Sequence, residues 1–146
     1  MSEKTYQRVE LAIEQLDTAL ELFLSERSYA SALTLAGAAE EILGQAISQR
    51  GQQDALRYKY DVLNTAHREL HGRPLEWKQF SDGENHARNA LKHMRSRSED
   101  TVTTDLQEAA IWMLVRACAN YDALDFPRTD RMDSFDNWFY EHVVGV

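Results

Sequence analysis

Hydrophobic positions along this chain recur at alternating steps of three and four, the rhythm of one face of an α-helix, and not at every second residue. Tyr6, Val9, Ile13, Leu16, Leu20 and Phe23 mark a first helix over about residues 4 to 25. Tyr29, Leu33, Ala36, Leu43 and Ile47 carry the rhythm through a second, which ends near Gly51 as a C-cap. Leu56, Tyr60, Leu63 and Leu70 give a third, stopped by Gly72 and Pro74. Ser81 with Glu84 has the form of a capping box and predicts a fourth helix opening there. Thr104 with Gln107 predicts the opening of a fifth, striped by Leu106, Ala110, Met113, Ala117, Tyr121 and Leu124 and closed before Pro127. Met132, Phe135, Trp138 and Phe139 predict a short sixth. No segment alternates with period two between hairpin turns. The expected fold is therefore all-α, an up-and-down bundle of four to five main helices plus a short C-terminal helix.

A length of 146 residues, 43% hydrophobic and 27% charged, fits one globular domain over 1–146. Its core is expected over about 5–125, with the aromatic C-terminal helix at about 131–144. Prolines and glycines fall mainly near the predicted helix boundaries, and no run has the composition of a linker or a repeat. Phe135, Trp138, Phe139 and Tyr140 are expected to pack over the bundle, a dimer contact being the alternative. Met1-Ser2-Glu3-Lys4 runs into an amphipathic segment and does not read as a secretory signal. Apolar runs such as Ala109 to Val115 fall far short of the ~20 residues that span a bilayer, so no membrane association is expected. The lone Cys118 has no partner for an intrachain disulfide and is expected as a small buried core residue. These features together predict a cytoplasmic protein.

Charge changes the picture at one place. A net charge of -8 opposes avid, non-specific nucleic-acid binding, yet residues 84 to 97 carry Arg88, Lys92, Arg95 and Arg97, with His86 and His93 among them. Within this segment Arg88-Asn89-Ala90-Leu91-Lys92-His93 sets an arginine ahead of a histidine. Histidine moves a proton near neutral pH, and a permanently charged guanidinium holds a phosphate as negative charge builds on it, the pair that metal-free RNA cleavage needs. On an undistorted helix Arg88 and His93 lie about 140° apart. Pairing them requires the helix to end or bend near His93, the long arginine to curl, or two copies of the helix to meet across a two-fold axis. Asn89 shares a face with His93 and could orient the imidazole or a phosphate oxygen. Glu40 projects onto the apolar stripe of the second helix between Ala36 and Leu43, whereas Glu41 projects away from it. A buried carboxylate needs a cation or donor: Arg88 and His93 are candidates, with Arg116 or water at the bundle edge as the alternative.

Other chemistry is scarce. His67 and His71 stand four apart, as metal ligands can, but Arg68 follows the first histidine where a zinc-protease helix has its glutamate. His67 also falls on the apolar stripe, where a hydrogen-bonded core histidine is expected, so neither a metal nor a cofactor is predicted. The absence of a Gly-rich phosphate loop, a Cys cluster or a Ser/His/Asp arrangement removes P-loop nucleotide hydrolases, zinc modules and most hydrolase classes.

Taken together, these segments resemble the HEPN superfamily (higher eukaryotes and prokaryotes nucleotide-binding), small all-α domains. Its ribonuclease members carry Arg, usually Asn, Asp or His next, and then His after a short gap; Arg88-Asn89-Ala90-Leu91-Lys92-His93 matches that form throughout. The stretch Leu35-Ala36-Gly37-Ala38-Ala39-Glu40-Glu41-Ile42-Leu43-Gly44 is similar to the Ala-Glu-Glu helix of the subset associated with abortive phage infection. The resemblance implies a homodimer whose two motif helices face each other and form one cleft for single-stranded RNA. It implies a metal-independent endoribonuclease in which His93 acts as general base or acid, leaving a 2′,3′-cyclic phosphate. Arg88 would stabilise the phosphoryl oxygens, Asn89 position the substrate and Glu40 orient the motif side chains, with Lys92, Arg95 and Arg97 binding the RNA backbone. A toxin or phage-defence role with a nucleotidyltransferase antitoxin is implied with it. The alternative is a non-catalytic HEPN-like dimer that binds nucleotide, RNA or a protein partner in the same cleft. A third reading is a helical interaction domain in which Arg88 and His93 only bridge helices.

Overall fold

The computed structural model describes residues 1–145, and among them the chain forms α-helices and no strand. The helices are α1 (Arg8–Glu21), α2 (Tyr29–Gln49), α3 (Ala55–His71), α4 (Trp77–Glu84), α5 (His86–Lys92), α6 (Leu106–Ala123) and α7 (Asp130–Phe139). Helix α2 lies at the centre, packed along α1 on one side and α6 on the other. Leu16 and Leu20 of α1, Leu33, Leu43 and Ile47 of α2, and Leu114 of α6 are fully enclosed between them. Each such side chain contributes roughly 1.5–3 kcal/mol by leaving water. The expected all-α bundle is thus present, and no described helix is long and apolar enough to cross a membrane.

Helix α1 starts at Arg8, later than the stripe predicts, because Tyr6 is exposed and gives the preceding turn nothing to pack against. Its C-terminal end widens into a π-turn, Leu22–Glu26, closed by Arg27 in the left-handed region at φ 51°. Phe23 on that turn meets Phe135 and Trp138 edge-on, with ring centroids 5.6 and 4.8 Å away. Met132 and Phe135 of α7 are buried in the same cluster, and Arg131 donates to Glu21 at 2.8 Å and to Asp17 of α1. The aromatic C-terminal segment therefore packs on the core, with Tyr140 left outside.

Helix α3 ends where expected, at Gly72, whose φ of 69° is a conformation glycine adopts without strain. Its stripe is only partly covered: Leu56 is buried, while Leu63 and Leu70 face solvent. The fully buried Asn120 of α6 ties this helix in, accepting from the Ala55 N–H at 2.8 Å and donating to the Glu40 carbonyl at 3.1 Å.

Both predicted capping boxes are wrong. The Ser81/Glu84 box does not open a helix, because Ser81 lies inside α4. That helix starts at Trp77, held by Trp77 and Phe80 against the Tyr60 ring of α3 at 5.1 and 5.5 Å. The break comes at Asn85, so two short helices stand where the sequence predicts one opening at Ser81, and the described residues form seven α-helices against six predicted. The Thr104/Gln107 box also fails. Helix α6 opens at Leu106, capped by Asp105, whose carboxylate accepts from the Glu108 N–H at 2.9 Å. A charged cap outcompetes a hydroxyl there because it also meets the positive end of the helix dipole.

Candidate functional site

Helix α5 sits beside α2 and α6, and the residues it brings to them form one polar cluster in an apolar setting. Its anchor is Glu40, 5% exposed, as the apolar stripe of α2 requires. The close partner is Arg116, whose Nη2 donates to Glu40 Oε1 at 2.8 Å. Both terminal nitrogens of Arg116 also donate to Asn85 Oδ1 at 3.1 Å, which fixes the α4/α5 break. Arg88 comes second, its Nη1 3.8 Å from Glu40 Oε2 and 3.7 Å from Glu41 Oε2. His93 makes no hydrogen bond or ion pair with Glu40, so of the two α5-region candidates only Arg88 pairs with the carboxylate.

Arg88 reaches those carboxylates by crossing α2 over Gly37. A Cβ at position 37 would lie 2.4 Å from Arg88 Cδ and 2.9 Å from its Cγ, so only a glycine leaves room for the stem. Once there, the guanidinium is held loosely. Its Nη2 donates to Asn89 Oδ1 at 3.5 Å, and its buried Nε meets no partner among the described residues. Both arginines leave a buried Nε without a partner among the described residues, but the terminal nitrogens of Arg116 make three hydrogen bonds, whereas Arg88 is held mainly by charge.

His93 does not lie on the motif helix. Helix α5 stops at Lys92, and His93 has an extended backbone at φ -130°, ψ 124°, with its N–H donating to the Asn89 carbonyl at 3.1 Å. The exposed imidazole lines a cleft of about 630 Å³ together with His86, Asn89 and the loop that follows. Arg88 lines a different cavity of about 370 Å³, shared with Lys59, Glu84, Trp112 and Arg116. A single chain therefore brings Arg88 to Glu40 but not to His93, with Asn89 and His86 between them. Lys92, Arg95 and Arg97 are all exposed along this end of the site. The Arg95 N–H donates to the Glu99 carboxylate at 2.6 Å, which closes the cleft's outer wall.

Residues outside this cluster have structural explanations. His67 is half-buried with Nδ1 2.8 Å from the Arg73 carbonyl, and its ring packs on His71. Cys118 is buried as expected, and burial pushes its thiol up to about 12. The site residues that the sequence reading undervalued are Arg116, Asn85 and Gly37. Arg116 carried the same signal as Glu40, a charge on an otherwise apolar helix face, whereas Gly37 and Asn85 carried none.

Comparison with known protein families, with curated proteins and with solved structures gives no match to this chain.

Proposed function

We propose that this protein is a metal-independent endoribonuclease of HEPN type that acts on single-stranded RNA as a homodimer. The observation that carries the reading is the state of Arg88. A guanidinium enclosed by protein, aimed by two carboxylates and still short of hydrogen bonds is prepared to take phosphoryl oxygens, and Asn89 stands at its open edge. Glu40 is a positioning residue, itself fixed by Arg116. His93, released from the helix and exposed, is free to take or give the proton in the attack of a ribose 2′-OH on the adjacent phosphorus. Because the two side chains line separate cavities within one chain, this reading pairs the Arg88 of one protomer with the His93 of its partner. The exposed Lys92, Arg95 and Arg97 would track the RNA backbone. A toxin or phage-defence role, with a nucleotidyltransferase as antitoxin, belongs to the same reading.

Purified protein should cleave single-stranded RNA in EDTA and leave 2′,3′-cyclic phosphate ends. His93→Ala should abolish cleavage while the dimer persists on a sizing column. Undiminished cleavage by that variant contradicts the proposal.

A second reading has its own support, since the charge of Arg88 is already opposed by Glu40 and Glu41. In that case the protein is a non-catalytic HEPN-like dimer that binds RNA, nucleotide or a protein partner. RNA binding lowered by Arg88→Ala, with a salt-dependent affinity and no product, would favour it.

A further inference from the structure

We propose that His86 is a second catalytic imidazole, dividing with His93 the roles of general acid and general base. The inference rests on the ribonuclease reading and adds a residue that reading lacks. Transphosphorylation requires two proton transfers on opposite sides of the phosphorus. One group removes the proton of the 2′-OH as that oxygen bonds to phosphorus. A second delivers a proton to the 5′ oxygen as its bond to phosphorus breaks, leaving a 2′,3′-cyclic phosphate and a 5′-OH with no net change in protons.

His86 is the first residue of α5 and His93 the first beyond its end, and both line the same cleft of about 630 Å³. Asn89, one turn on from His86, lines that cleft too, and His93 joins it from the extended residue just past the helix end. Helical rise sets His86 and Lys92 roughly 9 Å apart along the axis. Imidazoles leaning inward from the two ends can therefore bracket one phosphodiester, with Asn89 at its centre.

Two further observations single out His86. It lines both this cleft and the cavity of Arg88, the one histidine of the described residues to line either cavity besides His93. Its ring, like that of His93, is exposed and has no hydrogen bond or ion pair among the described residues. The remaining histidines differ: His67 is bonded to the Arg73 carbonyl with the His71 ring tilted against it, and His142 is bonded to the Trp138 carbonyl.

The test uses the full chain, the variants His86→Gln and His93→Gln, and two single-stranded RNA substrates. One substrate is natural and the other has sulfur in place of the 5′-bridging oxygen, so that its leaving group departs without protonation. On natural RNA each variant should be slower by about 10²- to 10⁴-fold, with circular dichroism and dimer size unchanged. On the sulfur substrate one variant should regain most of that loss, which identifies the acid, and the other should not, which identifies the base. His86→Gln cleaving natural RNA at the native rate, or a loss that sulfur repairs in neither variant, overturns the role of His86 and leaves the nuclease reading standing. Failure of the native protein to cleave either substrate removes both.

Discussion

Gly37 offers a direct test of the geometry around Arg88. Alanine is the better helix former by about 1 kcal/mol, so Gly37→Ala alone should stabilise the middle of α2. The added Cβ, however, would sit 2.4 Å from Arg88 Cδ, far inside the ~3.5–4.0 Å at which carbon atoms attract. Arg88 would have to leave its notch and give up Glu40 and Glu41. Glu40 keeps its 2.8 Å bond to Arg116, and a displaced arginine can swing to water, so the loss is closer to about 1–3 kcal/mol than to the larger cost of stranding a buried charge. The net change is then a destabilisation of about 0–2 kcal/mol. For a chain of this size each kcal/mol moves Tm by about 2–4 °C. The sign depends on Arg88. In the background of Arg88→Ala the obstruction is gone, and Gly37→Ala should raise Tm by about 2–4 °C. The assay is thermal unfolding of the native chain, both single variants and the double variant, which isolates the coupling between the two positions. Equal effects of Gly37→Ala in both backgrounds would refute the close crossing of Arg88 over α2. On the RNA side, Gly37→Ala should lose as much activity as Arg88→Ala, although position 37 touches no substrate.

Two further outcomes follow from burial. Arg116→Met removes the cation that satisfies both Glu40 and Asn85, and should cost about 3–5 kcal/mol by urea unfolding, partly recovered by Glu40→Gln in the same chain. A cost under about 1 kcal/mol would mean that Glu40 is solvated and Arg116 is not its support. Cys118, with its thiol pushed up by burial, should resist iodoacetamide in the folded protein and react only as fast as the chain opens. Rapid labelling in native buffer would contradict its place in the core.

Much of the fold is legible because it depends on local pattern. The stripes of α1, α2 and α6 name the residues that meet in the core, and Gly72 ends α3 through a backbone conformation that its own side chain permits. Glu40 is legible for the same reason, as a charge on an apolar stripe. The α4/α5 region resists the same approach because its boundary is set from elsewhere in the chain. Asn85 breaks the helix in answer to Arg116, 31 residues further on, while Ser81 and Glu84 reproduce a capping signal inside a helix held by the rings of Trp77 and Phe80 against Tyr60. The relation of Arg88 to His93 is hidden in the same way. A uniform helix through both predicts a fixed angle, but the helix stops at Lys92, and the route of Arg88 depends on a missing Cβ in another helix.

In the proposed dimer the guanidinium of one protomer and the imidazole of the other make one RNA-cleaving site. Co-expression of the Arg88→Ala and His93→Ala chains tests it most directly, because a mixed dimer then holds one intact pairing contributed across the two-fold axis. These chains, inactive apart, should together cleave single-stranded RNA in EDTA at about a quarter of the native rate, since half the dimers are mixed and each has one working site of two. Mixed dimers that form but cleave no faster than either variant alone would contradict it.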